Sequence, residues 1–141
     1  GNNQEYKFIS LGSFCWPAQA LRSAGLRDIA FPFDWLDTSD HEGFIRILNE
    51  DFLYFTDPFY FSKISCKNLY EGSSVSHHYG NTTVLHNYYG AVFSHDWPHP
   101  YDEYNFEDHL EIIAKKYPRR IDRFRDLINY HGKVFFIRIL S

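Results

Sequence analysis

The chain has 141 residues, enough for one domain with its own core. Its 14 basic and 18 acidic side chains leave a formal charge of -4, which excludes a nonspecific nucleic-acid binder, because such a protein needs surplus cations to neutralise phosphates. Two cysteines exclude a disulfide scaffold, and no apolar run approaches the roughly 20 residues that span a bilayer.

No secretory leader is visible, so the expected location is cytoplasmic, with no membrane partner. Aromatic residues make up 20% of the chain and methionine is absent. A chain without Met that opens Gly1-Asn2-Asn3 reads as processed or engineered. It stops at Ile139-Leu140-Ser141 inside a strand-like run, so the expectation is a single domain over 1–141, truncated at its C-terminus.

Tyr6 to Leu11 is a short β-prone run that stops at Gly12-Ser13. Pro17 suits the first turn of a helix, where a missing N–H costs nothing, and Ala18, Ala20, Leu21 and Arg22 sustain that helix to Gly25. The chain therefore opens as strand, tight turn, helix. Leu26 to Trp35 is an apolar link in which Pro32 enforces an extended or turned backbone. Thr38, Ser39 or Asp40 caps the next helix, whose apolar face is Phe44, Ile47 or Leu48, and Phe52. From Phe52 to Phe61 only the Asp57-Pro58 turn is assignable. Residues 63–96 read as an antiparallel β insertion. Glu71-Gly72-Ser73-Ser74 and Gly80-Asn81 are its turn signals, and Thr83 to Leu85 and Ala91 to Phe93 are its strand candidates. Asp96 to Tyr104 reads as a loop.

Phe106 to Tyr130 is helical, with a stripe of Phe106, Leu110, Ile113 and Tyr117 that Ile121, Phe124 and Ile128 continue. Pro118 either starts a second helix or kinks a long one. After Gly132, Lys133 to Leu140 is nearly all apolar, as expected of a central strand covered on both faces. The fold class expected is α/β: a sheet with a parallel pair of strands near 6–11 and 133–140, flanked by helices, with the antiparallel insertion around 63–96.

Cys15 follows the first strand closely and immediately precedes a helix, whose free N–H groups and positive end favour a thiolate. The Gly12-Ser13 turn is placed to aim N–H groups at an oxyanion. The competing reading is a small buried hydrophobe, the usual state of a free cysteine. His95 ends the strand candidate at 91–93 and suits a general base toward a thiol. Asp96 could orient it, although sequence neighbours tend to point apart in an extended chain. Asp34, in Pro32-Phe33-Asp34-Trp35, is the alternative third group: a carboxylate among apolar residues, expected to be half-buried and paired. Against these stands a plain loop histidine, since the chain has eight of them.

His77, His78, His86, His95 and His99 raise a metal question, but no ligand-spacing motif accompanies them, so neither a metal site nor a cofactor is expected. Cys66 reads as structural. Arg22 and Arg27 either bind a substrate carboxylate or phosphate or, the favoured reading, form a buried ion pair with Asp34 or Asp28. Lys115 to Arg123 alternates with acids and marks a wet helix face. Trp35 and Trp97, with Trp16, Phe31, Phe33 and Phe93, are candidates for substrate contacts and for the walls that exclude water from a thiolate–imidazole pair.

Several blocks carry a family resemblance. They are Ile9-Ser10-Leu11-Gly12-Ser13-Phe14-Cys15, then Ala18, Leu21-Arg22, Gly25-Leu26-Arg27 and Phe31-Pro32-Phe33-Asp34-Trp35. Val92-Phe93-Ser94-His95-Asp96, Arg120-Ile121-Asp122-Arg123-Phe124 and Val134-Phe135-Phe136-Ile137-Arg138 follow. Together they resemble a domain-of-unknown-function family named "putative papain-like cysteine peptidase". The resemblance implies a thiol nucleophile at Cys15, a histidine at His95, and a third group at Asp96 or Asp34. The leading functional expectation is a cysteine-dependent hydrolase, peptidase-like or acyl-transferring, acting on a peptide or other acyl or carbonyl substrate. Two alternatives stay open. One is an SGNH-like esterase acting on glycans or esters, with Ser13 or Cys15 at the turn. The other is a non-catalytic peptide- or carbohydrate-binding module with Cys15 in its core.

Overall fold

The computed structural model describes residues 6–12, 16–25, 29–65, 82–93 and 106–139. The expected turns at 71–74 and 80–81, the loop at 96–104, and Cys66, Arg27 and Asp28 lie outside them. Strand β1 (Tyr6–Ser10) pairs in parallel with the last strand, β6 (Lys133–Ile137), in the register Tyr6↔Lys133 through Ser10↔Ile137. Between them come α1 (Trp16–Ser23), β2 (Leu36–Asp37), α2 (His41–Asn49), a 3-10 turn (Pro58–Tyr60), and strands β3 (Phe61–Ser65), β4 (Thr82–His86) and β5 (Val92–Phe93). The long helix α3 (Phe106–Asp126) and a second 3-10 turn (Leu127–Asn129) complete the order. Strands β2 to β5 form a second, wholly antiparallel sheet in the order β2-β5-β4-β3. The architecture is mixed α/β, with the parallel pair and the antiparallel insertion where the sequence puts them. Among the described residues the parallel pair is a sheet of its own, and the insertion sheet gains β2 from a stretch the sequence leaves between a link and a cap. No described helix is long and apolar enough to cross a membrane.

Local chemistry accounts for most of these elements. Asp40 caps α2, its carboxylate accepting the Gly43 N–H at 3.0 Å. Asp57 does the same for Phe59 ahead of Pro58, which stands at the first position of its 3-10 turn. Pro118 lies inside a single continuous α3 on its exposed face, so the lost N–H and the ring both meet solvent. The buried stripe of α3 is His109, Ile113, Tyr117 and Ile121. Ile128 does not continue it and is 87% exposed, because residues 127–129 wind as 3-10 and the tighter period rotates them off the stripe.

The core is aromatic. Phe33 meets Phe44 and Phe124 edge-on at 5.0 and 5.8 Å, and Phe55 meets Phe93 and Tyr117 at 5.6 and 5.7 Å. Edge contacts of this kind each add about 0.5–1.5 kcal/mol beyond simple burial. Strand β6 differs from expectation: Phe135 and Phe136 are about half-exposed rather than enclosed. Its apolar run instead serves two faces. Phe135 stacks on Phe8 and Tyr6 across the parallel ladder, while Phe136 packs against Phe124 of α3. With two strands in this sheet among the described residues, neither face is covered as it would be in a wide parallel sheet.

Helix α2 sits against the β4–β5 turn so closely that a Cβ on Gly43 would overlap the backbone carbonyl of Tyr89. Backbone cannot step aside as a side chain can, so Gly43→Ala should cost about 2 kcal/mol or more. Gly25, at φ +71 with open space around it, should cost only about 1 kcal/mol as alanine. Urea unfolding midpoints compare the two variants, and equal losses would contradict this packing.

Candidate functional site

Leu11 and Gly12, which leave β1, are each anchored at N–H and carbonyl. Leu11 N–H donates to Ile137 O at 2.7 Å and Ile139 N–H donates to Gly12 O at 3.0 Å, so the parallel ladder runs past the end of β1. Gly12 has φ +89, a conformation that favours glycine. Its N–H donates to the buried Ser10 Oγ at 3.2 Å, and Leu11 O accepts from Arg138 at 2.8 Å. Helix α1 then starts at Trp16, with Pro17 in its first turn and Ala18 and Leu21 facing inward. The sequence places Cys15 directly before Trp16.

The Pro-Phe-Asp-Trp stretch forms a second tight turn. Asp34 N–H donates to Phe31 O at 3.2 Å, and Asp34 Oδ2 accepts the Phe31 N–H at 2.8 Å. Pro32 takes the position whose fixed φ suits such a turn. Asp34 is only 1% exposed, more deeply buried than the sequence suggests, and the Phe31 N–H offsets part of the desolvation of its carboxylate. The chain then enters β2, where Leu36 pairs with Phe93 and Asp37 with Val92.

Arg138, just past β6, ties the Leu11–Gly12 end of β1 to the segment between β2 and α2. Its guanidinium reaches Leu11 O, both oxygens of Thr38, and His41 Nδ1 at the start of α2. It also lies over the Phe44 ring at 3.7 Å. Burial pushes the Arg138 guanidinium below its ordinary value, with partial compensation from the charge of Asp37. Neither Arg138 nor His41, Thr38 or Ser10 stands out as a site residue in the sequence. The available signal is a single cation ending a run of apolar residues.

Of the residues expected at the site, Gly12 and Asp34 form the two turns just described. Trp35 is half-buried beside Asp34. Cys15, Ser13, His95, Asp96 and Trp97 lie outside the described residues. Arg22 is exposed on α1, so it is not the cation of the expected buried ion pair with Asp34 or Asp28, and Arg27 and Asp28 lie outside the described residues; the residue next to inward-facing Leu21 is rotated about 100° around the helix, toward solvent. Phe33 and Phe93 are fully buried in the core and are not walls of an open site.

His86, one of the clustered histidines, is also in the core. It is sandwiched between Tyr60 and Tyr89 at 5.6 and 4.6 Å. Its Nδ1 accepts the Tyr89 N–H at 3.1 Å, which leaves Nε2 to donate to Tyr54 O at 2.7 Å. Both nitrogens are committed to backbone and neither is available to a metal. Nearby, Glu50 accepts from the hydroxyls of Tyr88 and Tyr89, and burial ahead of other causes pushes the Tyr89 phenol up to about 12. Among the described residues no group of three or more His, Cys, Asp or Glu side chains is arranged to hold a metal ion.

A parallel strand pair with a positive-φ glycine, a following helix and a buried aspartate turn defines a mixed α/β protein with its candidate site at the carboxyl ends of β1 and β6. The chain belongs to the family described as "Putative papain-like cysteine peptidase (DUF1796)", which matches residues 6–141. It is 30% identical over 138 residues to an uncharacterized protein of Acanthamoeba polyphaga mimivirus, covering 93% of this chain and 60% of that protein. The chain thus spans about 60% of the length of this curated relative. No solved structure matches it.

Burial holds the folded His86 below the ordinary histidine value of 6.5. As pH falls through about 6.5, the unfolded chain takes up a proton that the folded chain resists, so this contribution is present above that pH and lost below it, by at most about 1.4 kcal/mol per pH unit. Urea midpoints at about pH 7.5 and about pH 5.5 should therefore differ less in His86→Gln than in wild type. An undiminished pH dependence in the variant would assign the loss to other groups.

Proposed function

We propose that this protein is a cysteine-dependent hydrolase or acyl transferase acting on a peptide or another acyl substrate. Cys15, as thiolate, attacks the carbonyl carbon, and its proton passes to His95. The tetrahedral oxyanion collapses, the bond to the leaving group breaks, and the imidazolium gives its proton to that group. Water, deprotonated by His95, then cleaves the thioester and restores the thiol; in acyl transfer another nucleophile takes the place of water. The observation that carries this reading is the β1–Gly12–α1 arrangement at the shared carboxyl ends of a parallel pair, where open α/β sheets bind their ligands. Membership of the peptidase-like family supports it.

Gly12 contributes its positive φ, its own N–H being held by Ser10; the N–H groups that follow it supply the oxyanion donors. Asp34 is favoured over Asp96 as the group that orients His95. The antiparallel register Leu36↔Phe93 sets the start of β2, two residues after Asp34, beside the end of β5, two residues before His95 in the sequence. A cytoplasmic setting, which keeps thiols reduced, suits this chemistry.

Iodoacetamide alkylation followed against pH tests the nucleophile. Cys15 should react with a midpoint below the ordinary thiol value of about 8.5. Cys15→Ser should remove that fast phase, Cys66→Ser should leave it, and His95→Ala should slow it about tenfold at neutral pH. Asp34→Asn should move the profile further than Asp96→Asn. A Cys15 that reacts like a free thiol would refute the reading.

A further inference from the structure

We infer that Arg138 is a positioning residue for this site, an inference that rests on Cys15 being the nucleophile. Its guanidinium clamps the Leu11–Gly12 turn, which leads to Cys15, to the segment that follows Asp34 and opens α2. The geometry is specific to a planar fork. Nη1 donates to Leu11 O at 2.8 Å and to Thr38 Oγ1 at 3.0 Å, while Nη2 donates to Thr38 O and to His41 Nδ1, both at 2.6 Å. Because a guanidinium only donates, His41 Nδ1 must accept, and the neutral ring carries its proton on Nε2. The face of the guanidinium rests on Phe44, which fixes its plane.

Two stretches remote in sequence meet on one side chain: the exit from β1, and the short segment that runs from the exit of β2 to the first turn of α2. The same turn is laddered to the backbone on either side of Arg138, through Ile137 O and Ile139 N–H. The β2 exit belongs to the segment that holds the Asp34 turn and pairs with β5. A shift of Arg138 would therefore move the nucleophile turn relative to the proposed carboxylate. Lysine cannot replace it, because a single ammonium on a flexible stem does not span acceptors spread around the edge of a planar group. The four acceptor atoms carry no formal charge, so the hydrogen bonds to this partly desolvated cation come from dipoles, with the charge of Asp37 compensating only in part. That costs more than an apolar side chain would, which fits a side chain retained for geometry rather than for stability.

Wild type, Arg138→Lys and Arg138→Gln are compared on the full chain by two readouts. The first is amide hydrogen exchange, by NMR, at Leu11, Gly12 and Ile139, with Ile47 and Val84 as core references. The second is the pH profile of Cys15 alkylation by iodoacetamide. The clamp predicts about tenfold faster exchange at the turn in both variants with the core amides unchanged, and an alkylation midpoint moved up toward about 8.5. Exchange that is unchanged at the turn, or raised equally in the core, would overturn it. So would faster exchange at the turn with a wild-type thiol profile, since Arg138 would then hold the turn without setting the thiol. A wild-type Cys15 that itself titrates as a free thiol is a different result. It appears before any Arg138 variant is made, and it refutes the nucleophile and the positioning role together.

Discussion

The parallel ladder between β1 and β6 governs the rest of the fold. It joins the first described strand to the last, so every other element lies on one long crossover between the carboxyl end of β1 and the amino end of β6. Closing so long a connection carries an entropic cost that two five-residue strands cannot meet alone. The ladder is supported from both faces: by Phe8 and Tyr6 against Phe135, and by α3 through Phe124 against Phe136. Because the strands run the same way, their carboxyl ends lie side by side. That is what puts Leu11 and Gly12 next to Arg138 and makes this end of the molecule the candidate site.

The aromatic excess is the material of the crossover. Phe33, Phe55, Phe93 and Tyr117 meet mostly edge-on in a core that backs the antiparallel sheet with α3 and carries the Asp34 turn on its rim. Rings of this size bury much apolar area per residue at a modest cost in side-chain entropy, which suits a small domain with few strands. Some polar groups enter this core bonded to backbone. His86 shows the pattern, with both ring nitrogens bonded to backbone between two stacked tyrosines. The rigidity this gives the β4–β5 turn extends to α2, whose Gly43 lies against the Tyr89 carbonyl, and so to the His41 end that Arg138 grips.

Much of the fold is legible in local chemistry. The β1 run, the glycine that follows it, Pro17 in α1, the Asp40 cap and the apolar stripe through Ile113, Tyr117 and Ile121 all depend on residues within a turn or two of each other. Strand β2 was not legible, because two residues have no periodicity and exist as a strand only through β5. The exposure of Arg22 and Ile128 and the two-faced packing of β6 were also hidden, since each depends on what lies opposite rather than alongside. At the site, the Gly12 and Asp34 turns could be read from Gly-Ser and Pro-Phe-Asp-Trp. The roles of Ser10, Thr38, His41 and Arg138 could not, because none of them belongs to a motif with a spacing of its own.

By itself, the sequence determined the order of the helices and of most strands, the parallel pair of terminal strands, the strand and the helix on either side of Gly12, and the family to which the chain belongs. These follow from neighbouring residues, whose steric and hydrogen-bonding preferences act over a few positions. The tertiary structure alone decided that Asp34 is fully buried, that His86 is a core residue with both nitrogens engaged, and that one guanidinium ties Leu11, Thr38 and His41 together. Those outcomes are set by desolvation and by contacts between residues far apart in the chain, and both exist only once the ladder has brought the two ends of the chain together.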